Sequence, residues 1–89
     1  MRAIVTVVAK DSVGIIAYIT ALLAERQVNI MDISQTLMQE YFTMIMLVDL
    51  SKATCEFDEM RETLRKKGEE RGLVVRIQRE DIFNAMHRI

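Results

Sequence analysis

The amino-acid sequence predicts an α+β fold: a ferredoxin-like βαββαβ two-layer sandwich, with a four-stranded antiparallel sheet, two helices on one face, and a short C-terminal helix. Three observations carry this expectation. Hydrophobic periodicity reads in the order strand, helix, strand, strand, helix, strand. The first and third strands are apolar on both parities, as strands covered on both faces are, whereas the second and fourth alternate. The split βαβ topology places the first and third strands in the middle of the sheet, so burial pattern and chain order agree.

The first strand is Ala3–Ala9, rich in β-branched residues. Lys10 to Gly14 then turns, and Ile15, Ile16, Ile19, Leu22 and Leu23 recur at helical spacing, with Ser12 or Asp11 as N-cap and Glu25-Arg26-Gln27 as the polar end. Ile30–Leu37 alternates, with Met31, Ile33 and Leu37 on one side and Asp32, Ser34 and Thr36 on the other, which suits an edge strand. Tyr41–Val48 is a central strand antiparallel to it. Gln39-Glu40 is poor chemistry for a two-residue turn, so a longer connection is expected.

Ser51 or Thr54 is expected to cap the second helix, whose first turn is acidic and whose core stripe is Phe57, Met60 and Leu64. Glu62 stands four residues before Lys66 on its exposed face, and Gly68 and Gly72 punctuate its end. Leu73–Gln78 alternates as a last strand, and Ile82, Phe83, Met86 and Ile89 form an amphipathic tail. Two helices on one face leave the other face of the first and third strands to be covered, either by this tail or by a second subunit; a homodimer is expected. Met31, Met38, Met44, Met46, Met60 and Met86 read as core filler.

The 89 residues make a single domain, 1–89, with 51% apolar and 28% charged residues and no sign of disorder. Twelve basic against 13 acidic residues leave no net field to draw phosphate backbones or anionic lipid, so neither nucleic acid nor a membrane is expected as partner. The single cysteine, Cys55, excludes an intrachain disulfide and leaves a thiolate metal site short of ligands, so no metal or cofactor is expected. Lys10 and Asp11 cut off the apolar run after Met1-Arg2 too early for a signal peptide, and cytoplasm is the expected location. Cys55, near a helix start, is a candidate for a lowered pKa, but the only histidine, His87, is far off in the tail, and catalysis is not expected. Adjacent Tyr41 and Phe42 face opposite sides of their strand and form no platform for bases.

The candidate site is the turn after the first strand. It delivers a helix N-terminus, with unpaired N–H groups and partial positive charge, where a carboxylate could bind. Gly14 lacks a Cβ and permits close approach, Asp11 can pair an ammonium, and Asn29 offers both donor and acceptor, a set that fits an amino-acid zwitterion. A structural reading stands beside this one: Asp11 as cap, Gly14 for tight helix-to-strand packing, Asn29 as a turn residue with a left-handed backbone.

Asp11-x-x-Gly14-Ile15, the helix end Leu23-Ala24-Glu25, and Asn29-Ile30-x-Asp32-Ile33-Ser34-Gln35-Thr36 resemble the ACT domain, a small-molecule-sensing module of amino-acid metabolism. The resemblance spans the chain and is strongest to stand-alone small ACT proteins similar to one module of the glycine cleavage system transcriptional repressor. The pattern also opens formyltetrahydrofolate deformylase, without the catalytic domain that follows there. The resemblance implies regulatory binding of an amino acid or related metabolite at a dimer interface, with Asp11, Ser12, Val13, Gly14, Ile15, Asn29 and Ile30 as ligand-binding positions, and a partner enzyme or regulator to be controlled. Ser12-Val13 departs from the basic residue or proline that many members carry. The alternative is a protein-interaction module with the same fold and dimer but no small ligand.

Overall fold

The structure is a computed structural model and describes residues 1–10 and 13–86. The elements run β1 (Arg2–Ala9), α1 (Ile15–Glu25), β2 (Asn29–Met38), β3 (Tyr41–Asp49), α2 (Phe57–Glu70), β4 (Val74–Arg79) and α3 (Glu80–Met86). The four strands form one antiparallel sheet in the order β2-β3-β1-β4. The first and third strands are therefore central, as their apolar character on both parities predicts.

Alternation along β1 turns Ala3, Val5, Val7 and Ala9 to one face, where all four are buried. Opposite them on β3 stand Val48, Met46, Met44 and Phe42, and on β4 Val5 and Val7 face Ile77 and Val75. Ile15, Ile19, Leu22 and Leu23 of α1, with Met60 and Leu64 of α2, close over this floor to form one core. Each fully buried aliphatic side chain contributes about 1.5–3 kcal/mol. Met44, Met46 and Met60 are core filler as expected, but Met31 and Met38 are 48% and 68% exposed on β2. No helix roofs the outer part of that strand, and its residues from Met31 to Met38 all remain exposed.

β2 also carries a bulge between Ile30 and Asp32 that leaves Met31 without a partner. Beyond it Ile33 and Leu37 pair with Met46 and Phe42, while Asp32, Ser34 and Thr36 pair with Leu47, Ile45 and Thr43 on the open face. The expected two-sided pattern holds for these five residues. On the open face the described part of the tail gives partial cover: α3 packs near β1 and β4, tied by an Arg2–Glu80 ion pair of 2.8 Å, while Val8, Tyr41, Ile45 and Val74 stay exposed. Within α3, Phe83 is half-buried and Ile82 exposed. His87 and Ile89 lie outside the described residues.

Both long helices end in the same hydrogen-bonded device. After α1, Val28 N–H donates to Leu23 C=O and Gln27 N–H to Ala24 C=O; after α2, Leu73 N–H donates to Gly68 C=O and Gly72 N–H to Glu69 C=O. These are Schellman closures, which need a left-handed residue at the position past the cap. Gly72 (φ 71) fills it after α2, but Gln27 (φ 59) fills it after α1. The left-handed residue expected at Asn29 is thus Gln27, and Asn29 instead opens β2.

The starts of both helices differ from expectation. Gly14, not Ser12 or Asp11, is the N-cap of α1 and offers no side-chain bond; Asp11 and Ser12 lie outside the described residues. α2 begins at Phe57 behind Glu56, later than caps at Ser51 or Thr54 would allow. Those residues are engaged elsewhere: Ser51 donates from N–H and Oγ to Asp49 Oδ1 at 2.9 and 2.8 Å, and Thr54 N–H donates to Arg26 C=O at 2.9 Å. On α2, Glu62 accepts two hydrogen bonds from Arg65, at 3.0 and 3.3 Å, in place of the expected pairing with Lys66. The β2–β3 connection is two residues after all, with Met38 paired to Tyr41 and Gln39 left-handed at φ 54.

The glycines separate two costs. A Cβ on Gly68 would sit 2.6 Å from Val75 Cγ2, whereas one on Gly72 meets nothing within 4 Å and suffers only from its positive φ. Gly72→Ala is expected to cost about 1–2 kcal/mol and Gly68→Ala about 1–3 kcal/mol. Gln27→Gly is expected to gain up to about 1 kcal/mol. Thermal melts at fixed protein concentration resolve these as shifts of about 4–8 °C per kcal/mol.

Candidate functional site

The turn between Ala9 and Ile15 stands at the end of β1 that adjoins Phe42 on β3 and, beyond it, Leu37 on β2. Gly14 (φ 72) swings the chain into α1, and Tyr18 N–H donating to Gly14 C=O at 3.0 Å is the helix's first bond. Among the described residues a Cβ on Gly14 would meet nothing within 4 Å, so close packing against them does not explain the glycine; its left-handed backbone does. Ile15 points into the core, and Val13 is 83% exposed. The first turn of α1 carries no acidic residue to offset the helix dipole.

Asn29 and Ile30 are elsewhere in the same protomer. They pair with Asp49 and Val48, at the Arg2 end of β1, so about 20 Å of strand separates them from the Gly14 turn. There Asn29 borders a depression shared with Asp49, Ser51 and Lys52. The two Ser51 hydrogen bonds hold the Asp49 carboxyl below its usual range, with smaller help from the N-terminal ammonium and Arg2.

Beside Gly14 lies a depression of about 240 Å³ lined by Lys10, Val13, Tyr18, Arg71 and Gly72, among others. The Arg71 guanidinium stacks over the Tyr18 ring at 4.1 Å, and Tyr18 Oη donates to Lys67 C=O at 3.3 Å. Reading the sequence missed Arg71 and Tyr18, because nothing local announces that the α2–β4 turn lands against α1. Cys55 also departs from expectation: burial foremost, then Glu59, pushes its thiol pKa up, outweighing Arg26. Among the described residues no group of three or more His, Cys, Asp or Glu could hold a metal ion, and no helix is long and apolar enough to cross a membrane.

Comparison with known proteins decides the family. The family model of the ACT domain matches residues 2–78. This chain belongs to the ACT domain family. It is 55% identical over 89 residues to the UPF0237 protein of Clostridium acetobutylicum, covering the whole of both chains. Its fold matches an ACT domain protein from Streptococcus pneumoniae at a TM-score of 0.83, with 41% identity over 93% of each chain. A putative glycine cleavage system transcriptional repressor shares the fold at a TM-score of 0.73 and 24% identity, over 86% of this chain and 44% of that one. ACT domain membership and the ferredoxin-like architecture therefore stand as the sequence predicts.

The Asp49 shift fixes a sign for pH. A carboxyl held below its ordinary 3.8 contributes stability that is fully present above that value and lost as pH falls through the lowered folded value. Wild type should therefore melt above Asp49→Asn at about pH 7, and the gap between the two melting temperatures should narrow as pH falls below the ordinary carboxylate range.

Proposed function

We propose that this chain is a non-catalytic regulatory module that binds an amino acid or related small metabolite at the interface of a homodimer. One observation carries the reading: Gly14 and Asn29 lie at opposite ends of the sheet, while β2 is an exposed edge strand. A second copy running antiparallel along β2 brings Asn29 and Ile30 of the partner subunit to the end that holds the Gly14 turn. Met31, Ile33, Leu37 and Met38, all exposed along β2, supply apolar surface for that contact.

Energetics favour a site made by two protomers. A helix N-terminus contributes about 0.3–2 kcal/mol, and millimolar affinity needs about 4 kcal/mol. Val13, Gly14 and Ile15 with Asp11 and Ser12 form one wall in this reading, and the partner subunit's Asn29 and Ile30 form the other. The ligand then favours one subunit geometry, which is how a module without catalytic groups would control a partner enzyme or regulator. The exposed β2 surface equally favours a second reading, a dimerising protein-interaction module without a small ligand.

The test is a thermal-shift panel of the common amino acids with one-carbon and purine metabolites. A millimolar binder supplied at about 5 mM adds about 1 kcal/mol, a rise of about 4–8 °C. Gly14→Asn keeps the left-handed backbone but fills the approach to the helix N-terminus, and should abolish the response while the protein stays folded and dimeric. A flat panel on a dimer supports the interaction module instead. For the interface, Ile33→Lys combined with Leu37→Lys should convert the dimer to a monomer by light scattering. A dimer that survives both changes refutes the β2 contact.

A further inference from the structure

The depression beside Gly14 is unevenly charged. Lys10, from the end of β1, and Arg71, from the turn after α2, both border it, and among the described residues no acidic one does. Neither cation has an ion pair among the described residues. Other arginines of the molecule stand against carboxylates, as Arg2 does against Glu80 and Arg65 against Glu62 and Glu69. Ala9, Ile15 and Leu73 are buried along the inner wall, so the two cations flank an apolar floor.

Arg71 is also held in place. Its guanidinium stacks 4.1 Å from the centre of the Tyr18 ring. Tyr18 is fixed in turn at both ends, through its N–H to Gly14 C=O at 3.0 Å and its Oη to Lys67 C=O at 3.3 Å. Stacking occupies the face of a guanidinium and leaves the N–H groups on its edge, the ones that grip a carboxylate as a two-pronged fork. A clasp between α1 and the α2–β4 turn would account for Arg71 alone. Lys10 takes no part in that contact, yet it borders the same depression.

We propose that the metabolite site takes a small dicarboxylate of the acidic amino-acid class, with Arg71 and Lys10 as the residues that set this preference. The preference rests on the reading that a small metabolite binds beside the Gly14 turn, and it narrows the chemistry of that metabolite. A neutral amino acid brings one carboxylate to two cations. An acidic one brings a carboxylate to each, and both are ionised at neutral pH. The volume of about 240 Å³ is that of about eight water molecules in the liquid, which suits a compact metabolite better than a nucleotide or a polymer.

The experiment titrates the intact chain with glutamate, aspartate and their amides, glutamine and asparagine, by calorimetry at one ionic strength. Glutamate or aspartate should bind at least about tenfold more tightly than its amide. Arg71→Met should remove that preference, and Arg71→Lys should restore part of it, since the charge returns without the fork. Lys10→Met leaves the Tyr18 stack in place and should lower the preference as well. Melting curves without ligand establish that each variant is folded. If Met and Lys at position 71 lower the melting temperature alike while the ratio of acid to amide stays that of wild type, Arg71 is a clasp only and the proposal is overturned. Amides that bind as tightly as the acids, or a metabolite of the thermal-shift panel that binds where these four do not, overturn it too, and leave the metabolite reading of the Gly14 turn standing. A panel flat for every metabolite overturns both.

Discussion

The inner row of β1 is the constraint on which the rest of the molecule depends. Ala3, Val5, Val7 and Ala9 are hemmed in by β3 and β4 on either side and roofed by α1 and α2. A slip of one residue would turn Ile4, Thr6 and Val8 inward and Ala3, Val5, Val7 and Ala9 outward, so the register has no near alternative. Because β1 is held this firmly, the point at which the chain leaves the sheet after Ala9 is fixed as well. The start of α1 at Gly14 and Ile15 is thereby tied to the core, into which Ile15 is buried.

What the sequence made legible follows from the size of the energies involved. Strand and helix identity, sheet order and the centrality of β1 and β3 rest on burial of whole rows of side chains, each worth kilocalories. The capping residues, the two-residue turn at Gln39-Glu40 and the left-handed Gln27 are settled by differences of about 1 kcal/mol, which tertiary contacts override. Ser51 shows how: its hydroxyl could cap α2, but Asp49 is nearer and accepts both of its donors. Of the candidate site, Gly14 and Ile15 stand where the pattern puts them at the start of α1. That Asn29 sits at the far end of the sheet was invisible, since a linear motif carries no statement about which end of a strand its members occupy.

The two sheet edges divide the surface chemically. β2 is long, bulged once and uncharged from Ile33 to Met38, while β4 is short and carries arginines at positions 76 and 79. Charge along an edge strand discourages self-association. The asymmetry therefore gives the protomer one edge suited to its own kind and one that is not, a distinction with no counterpart in the ACT family pattern read from the sequence.

β2 is also the strand that the protomer holds least firmly. It is flanked by Gln27 and Gln39, the non-glycine residues with positive φ among the described residues, and none of its residues is fully buried. Each left-handed glutamine sets backbone strain of about 1 kcal/mol against the strand's ladder to β3. In an isolated protomer such a strand is the natural first unit of local opening, and its closing is completed by whatever covers it. In the proposed dimer, assembly and local folding would be one equilibrium, and the rigidity of β2 would report on whether a partner is in place.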